Sequence, residues 1–225
     1  PAAPRQLTSM RGEVYDVTFA PKGNLLVATT ADTLLSWNTA DPSRPVQHPT
    51  LRLTPDAGDS GFATSAFRPD GGLLAVSDSR DTTRLWRVQG DRIVGEPVLM
   101  RTVGSGKGLA FSPDGRTLAW TAGSAASPSF TGETSPHIEL WDVSNPDAPV
   151  HRASFAYDSR ESEDLSYSSQ GPTPLLVSTS DTVDVWNTDP EFMTRILCHS
   201  VGDVITPAQW AKYVPGLPYD PPCGR

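Results

Sequence analysis

Phe67-Arg-Pro-Asp-Gly-Gly-Leu-Leu-Ala-Val-Ser-Asp-Ser-Arg-Asp-Thr-Thr-Arg-Leu-Trp86 is the stretch on which the fold turns. Pro69-Asp70-Gly71 carries the chemistry of a type I or II turn: Pro fixes φ, and Gly accepts a φ that other residues resist. Leu73 to Ser77 is a short apolar run, as expected of a strand buried on both faces. Ser79 to Thr82 reads as a second, polar turn, and Thr83 to Trp86 as the returning strand. The stretch is a β-hairpin with a turn at each end.

Three other segments repeat it. The first runs from Phe19-Ala-Pro-Lys-Gly23 through Leu25-Leu-Val-Ala28 to Asp32 and Trp37. The third runs from Phe111-Ser-Pro-Asp-Gly115 through Thr117-Leu-Ala-Trp120 to Ile138-Glu-Leu-Trp141. The fourth is worn: Tyr167-Ser-Ser-Gln-Gly171, Leu175-Leu-Val-Ser178, then Asp181 to Trp186. The terminal Trp residues lie 49, 55 and 45 positions apart. Self-similarity at that period means stacked supersecondary units, and units of four short strands mean propeller blades.

The chain resembles the WD-repeat β-propeller family in its Phe-x-Pro-Asp-Gly turns, its Leu-Ala runs and its Asp-x-x-x-x-Trp ends. Asp32, Asp81 and Asp181 each stand five residues before a Trp, where the family places its structural Asp. The resemblance implies that Trp37, Trp86, Trp141 and Trp186 anchor the blades. It spans Val14 to Trp186 and departs from the family at one point: Gly12, Gly61 and Gly106 lack the His that often follows. The polar network of each blade is therefore expected to be incomplete.

Composition fits this reading. The chain of 225 residues holds 22 Pro and 18 Gly, and its net charge is −8. Mixed acid and base along the chain argue against a nucleic-acid or anionic-membrane surface, which needs a basic stripe. No transmembrane run or signal peptide is visible. The opening Pro1-Ala-Ala-Pro, without Met, is read as the start of a piece of something longer.

Outer strands are expected at Val46 to Leu53, broken by Pro49, at Ile93 to Met100, and near Val150 to Phe155. Polar loops follow them at Thr54–Gly61, Val103–Gly108 and Ala156–Asp164. The third repeat has 30 residues from Phe to Trp, against 18 or 19 in the others, because residues 123–136 are inserted between its second and third strands. Small polar residues there suit a solvated loop. The alternative is a partner-contacting finger with Phe130 at its tip and Glu133 beside it; Arg80 and Arg160 complete the candidate partner-binding residues.

After Trp186 the pattern changes. Asp189-Pro-Glu191 opens a helix, with Asp as N-cap. Thr206-Pro-Ala-Gln209 is a capping box that opens a second. This tail resembles one that follows WD-repeat propellers in large actinobacterial regulatory proteins, matching at Cys198, Thr206, Pro207, Trp210, Pro218, Tyr219 and Cys223. Such proteins often carry a STAND-class ATPase, a peptidase-like module or a helix-turn-helix upstream. Cys198 and Cys223 are the only cysteines. They are either two free thiols in a reducing compartment or, the favoured reading, a bridge stapling the tail, worth roughly 3 kcal/mol.

No catalytic constellation emerges. The sequence has no Gly-x-Ser-x-Gly elbow, no phosphate-binding Gly-x-x-x-x-Gly-Lys and no His-Glu-x-x-His. His48, His137, His151 and His199 are scattered and are expected to be solvated or singly hydrogen-bonded. Asp158, Glu161, Glu163 and Asp164 lack calcium-loop spacing and are read as a solvated loop.

The expectation is an all-β chain: four propeller blades over 1–188, belonging to a larger, seven-bladed ring, and a helical, Pro-rich cap over 189–225. It is expected to be a non-catalytic protein-interaction or sensor module without cofactor or metal. Its protein partner would sit on the loop-rich face, and its open ends would meet missing blades or a second copy. The alternative is a propeller that gates or carries a peptidase or ATPase domain. The family resemblance favours the cytoplasm, and an oxidised cysteine pair an extracytoplasmic setting.

Overall fold

Arg68 to Gly71 closes a tight turn in which Gly71 N–H donates to the Arg68 carbonyl at 2.8 Å. Gly71 is therefore the fourth residue of the turn, not a central one, and its φ of 78° lets the chain swing into the next strand. Gly23 and Gly115 repeat that conformation, with φ of 82° and 70°. Each turn also rests on the next. A Cβ on Gly115 would lie 2.8 Å from Arg68 Cγ, so the side chain of one turn occupies the space the neighbouring glycine leaves.

The computed structural model describes residues 6, 9, 13–53, 63–78, 82–101, 108–122, 137–157, 162–168, 174–179, 182–201, 206–213, 216, 218–219 and 223. They form four antiparallel sheets arranged as propeller blades. The first sheet contains β1 (Asp16–Phe19), β2 (Leu25–Thr29) and β3 (Thr33–Asn38), with β4 (Val46–Gln47) and β5 (Leu51–Arg52) both paired to β3. The expected outer strand is thus split in two around Pro49, which has no N–H for a ladder. The second sheet runs β6 (Thr64–Phe67), β7 (Leu73–Asp78), β8 (Thr82–Gln89), β9 (Arg92–Arg101). The third runs β10 (Leu109–Phe111), β11 (Thr117–Ala122), β12 (His137–Asp142), β13 (Val150–Ala156). The fourth has three strands, β14 (Ser162–Tyr167), β15 (Pro174–Thr179) and β16 (Val183–Asn187). Glu163 and Asp164 lie in β14, not in the loop expected for them, because the ladder to β15 extends to Ser162. Arg5 to Thr8 reads in sequence as the outer strand of a preceding blade; of these residues only Gln6 is described, and it is not in a strand.

Cores lie between sheets. Leu25, Val27 and Leu34 of the first pack with Leu74, Val76 and Trp86 of the second. Leu73, Ala75 and Leu85 pack with Leu118, Trp120 and Trp141 of the third. Ala119, Ile138 and Leu140 pack with Leu165, Leu175 and Val177 of the fourth, and Trp186 joins them from the edge. The middle strands β7 and β11 therefore send alternate residues into two different cores, which is why β7 is buried along its whole length.

Two helices follow, α1 (Pro190–Val201) and α2 (Pro207–Tyr213). Asp189 Oδ1 accepts the Glu191 N–H, and Thr206 and Gln209 bond reciprocally as a capping box. The sulfurs of Cys198 and Cys223 lie 2.03 Å apart, joining α1 to the tail, and Trp210 meets Tyr219 edge to face at 6.1 Å. Met193, Ile196 and Leu197 of α1 are exposed.

Trp86→Ala should cost about 3–5 kcal/mol in chemical denaturation, as large core truncations do; a loss below 1 kcal/mol would contradict its place between sheets. Non-reducing peptide mapping should recover Cys198 joined to Cys223. Cys198→Ser should make the tail more protease-sensitive while the sheets melt at the parent temperature, since both cysteines lie beyond β16.

Candidate functional site

Chain direction sorts the connections between strands onto two edges. In an antiparallel four-strand unit, the connection between second and third strands lies at the same edge as the entry to the first. The strand ends at Thr29, Asp78, Ala122 and Thr179 therefore share an edge with the ends at Arg52, Arg101 and Ala156. Arg80, Phe130, Glu133 and Arg160 belong to segments that join these ends, and all four lie outside the described residues, as do Asp81 and Asp181.

The opposite edge is closed by the stacked glycine turns. Arg68, Asp70, Asp114, Arg116 and Ser144 line a groove of about 470 Å³ there. Arg68 Nη2 is 2.8 Å from Asp70 Oδ2, and this guanidinium, before the other neighbours, holds the Asp70 carboxyl below the usual carboxylate range. Beside that edge, Asp142 accepts from Arg152 and, at 2.9 Å, from the Ser144 N–H. Arg152 first, then Ser144, brings its pKa down to about 2.

Asp32 sits in a local turn: Thr30 Oγ1 accepts the Thr33 N–H at 3.0 Å and bonds Asp32 Oδ1 at 3.3 Å. Thr179 and Thr182 repeat the same hydroxyl turn in the fourth sheet. Asp32 thus serves the turn between the second and third strands of the first sheet. The anchors divide. Trp86, Trp141 and Trp186 each face the preceding sheet, whereas Trp37 clusters with Leu26 and Ala28 of its own sheet.

Sequence reasoning missed a buried polar group. His137 and Glu139 are both sealed from solvent, with His137 Nε2 3.5 Å from Glu139 Oε1. Trp141 Nε1–H donates to Glu139 Oε2 at 3.0 Å. His137 is therefore buried, which excludes the solvated half of the expectation (solvated or singly hydrogen-bonded), because β12 is central in its sheet and is covered on both faces. The available signal was alternation: residues 137, 139 and 141 share one strand face. Arg84 occupies the matching place in β8 and pairs with buried Asp78. Across sheets, Trp120 Nε1–H donates to Ser77 Oγ at 2.9 Å, Thr29 Oγ1 to the Ala63 carbonyl at 2.7 Å, and Ser65 N–H and Oγ–H both to Asp16 Oδ2.

Each end sheet exposes apolar side chains on one edge strand, while Leu26, Ala28 and Trp37 beside β1 are buried. Val17 and Phe19 of β1 are 59% and 62% exposed, and Val183 and Val185 of β16 are 65% and 66% exposed. Strands β1, β6, β10 and β14 pack in that order, while among the described residues the fourth sheet makes at most marginal contact with the first. No described helix is long and apolar enough to cross a membrane.

No family model matches this chain, and no curated protein matches it. Solved structures do. A candidate 6-phosphogluconolactonase from Bacteroides uniformis superposes with a TM-score of 0.60 at 14% identity, covering 79% of this chain and 51% of that one. Sqt1 from Saccharomyces cerevisiae gives 0.58 at 15% identity, covering 78% of this chain and 45% of that one. The likeness is one of fold, and this chain spans about half the length of either structure.

Arg152→Ala should raise the Asp142 pKa from about 2 toward the usual carboxylate range in an NMR titration. Because the folded pKa is depressed, the stability this pair adds is fully present above the unfolded value near ~3.9 and is lost as pH falls through about 2.

Proposed function

We propose that this chain is a non-catalytic protein-binding module, a WD-type propeller segment of a larger regulatory protein of the actinobacterial kind. The difference between its two edges carries the reading. One edge carries glycine turns that lie against one another, as Gly115 does against the Arg68 side chain. The other collects the strand ends that lead into the two longest connections, residues 53–63 and the segment holding the inserted residues 123–136. A rigid stack with one variable edge suits recognition, since binding residues concentrate on loops held by a scaffold. The partner is a protein held at that edge through Arg80, Phe130, Glu133 and Arg160. A net charge of −8 supports a protein in preference to nucleic acid or an anionic membrane. The Phe-x-Pro-Asp-Gly turns, the Trp spacing and the Cys-containing tail support the WD-type and actinobacterial assignment.

Deleting Ser124 to Ser135 tests it. The melting temperature should stay within a few degrees of the parent, because closure cost depends weakly on loop length. Capture of partner proteins by the immobilised chain should fall sharply. Capture unchanged by the deletion and by a combined Arg80→Ala, Arg160→Ala variant would remove this edge from function. The Bacteroides neighbour suggests a second reading, hydrolysis of a phosphorylated sugar lactone. Incubation with that lactone should show no acceleration over buffer, and catalytic turnover would replace the binding reading.

A further inference from the structure

The seam between the first and second sheets is built differently from the two that follow. The residue before each anchor Trp is aliphatic in three sheets, Leu85, Leu140 and Val185, and is Ser36 in the first. Across the ladder, Leu85 meets Val98 and Leu140 meets Ala153. Ser36 meets His48 instead, whose N–H donates to the Ser36 carbonyl at 2.9 Å. Leu85 and Leu140 are buried in the apolar cores that their sheets share with the next. Two polar residues thus stand where the next two seams hold aliphatic side chains.

The exchange leaves a cavity of about 200 Å³, lined by Ser36, His48, Pro49, Leu51, Arg92 and Ile93. Ser36 is 3% exposed, and its hydroxyl has no hydrogen-bond partner among the described residues. A hydroxyl withdrawn from water in this way calls for a partner. The far wall is apolar, since Leu51 and Ile93 pack against the core of this seam.

Charge decides what the partner is. His48 Nε2 lies 4.0 Å from Asp91 Oδ2, and Asp91 also accepts from Asn38 Nδ2. The adjacent Arg92 is exposed at the cavity and has no carboxylate partner among the described residues. The carboxylate of this seam is therefore occupied and its guanidinium is not, so the unmet need is for an anion. The space is smaller than cavities that take drug-sized ligands.

We propose that this seam binds a small aliphatic monocarboxylate. The carboxylate accepts from the Ser36 hydroxyl and the Arg92 guanidinium, and the alkyl group lies on Pro49, Leu51 and Ile93. His48, held beside Asp91, closes the polar side. None of these residues belongs to the connections that carry Arg80, Phe130, Glu133 and Arg160, so this site and the protein-binding edge can fail independently.

Isobutyrate titrated into the isotope-labelled full chain, at constant pH and ionic strength, tests this by NMR. The amide signals of Ser36, His48 and Arg92 should shift to saturation, while isobutylamine and isobutanol leave them in place. Arg92→Gln changes an exposed side chain and should weaken isobutyrate about tenfold or more. Ser36→Leu restores the aliphatic residue of the other sheets; it should fill the cavity, raise the melting temperature and abolish the saturable shifts. Shifts that do not saturate mean a cavity that holds only water, and an equal response to isobutylamine or isobutanol means that charge is not read; either overturns the proposal. Full affinity in Arg92→Gln also overturns it, whether or not Ser36→Leu folds.

Discussion

Burial of one sheet's apolar face against the next is the interaction on which this structure depends. The middle strands are apolar on both sides, so no sheet can satisfy both faces alone. The three large cores are each assembled from two sheets, and the small cluster of Leu26, Ala28 and Trp37 is drawn from the first sheet alone. Stability is then close to a sum over neighbours, as in other repeat architectures. Among the described residues, the second and third sheets each pack on two neighbouring sheets, and the first and fourth on one.

Polar groups within these layers set register more than they add stability. Ser77 receives Trp120 from the next sheet, and Asp16 holds both donors of Ser65. Such bonds form at a single offset of one sheet on the other, and an offset of two residues would strand them away from water at a cost of about 1–3 kcal/mol each. Glu139 is the extreme case. Its carboxylate has no solvent and depends on Trp141 and the adjacent His137. A buried polar group is tolerated only where partners are fixed, so the third sheet is specified by chemistry as well as by shape.

The sheets were legible in the sequence because each is announced by its own turn. Pro69-Asp70-Gly71 and its copies give strand boundaries on both sides, and the terminal Trp closes each unit. Asp189 and Thr206 made the helices equally plain, since a cap is a local signal. What lay between units was harder to read. That Glu139 is buried depends on β12 being covered by two other sheets, and a glutamate two residues before a Trp reads equally well as exposed. The difference between Trp37 and the other anchors was likewise hidden, because four identical residues in four similar repeats differ only in which neighbour they meet. The loop candidates Arg80, Phe130, Glu133 and Arg160 rest on sequence alone, outside the described residues.

The stacking of Arg68 over Gly115 ties the histories of two positions that are distant in sequence and belong to different sheets. Any side chain at 115 would meet both a left-handed φ of 70° and the Arg68 stem. Asn, which tolerates that φ, is the natural replacement, yet it is admissible only after Arg68 has shrunk or turned away. The order of substitution matters: shortening 68 first is a permitted step, and filling 115 first is not. Relatives of this chain should therefore vary at the two places together, with a long residue at the first only beside glycine at the second.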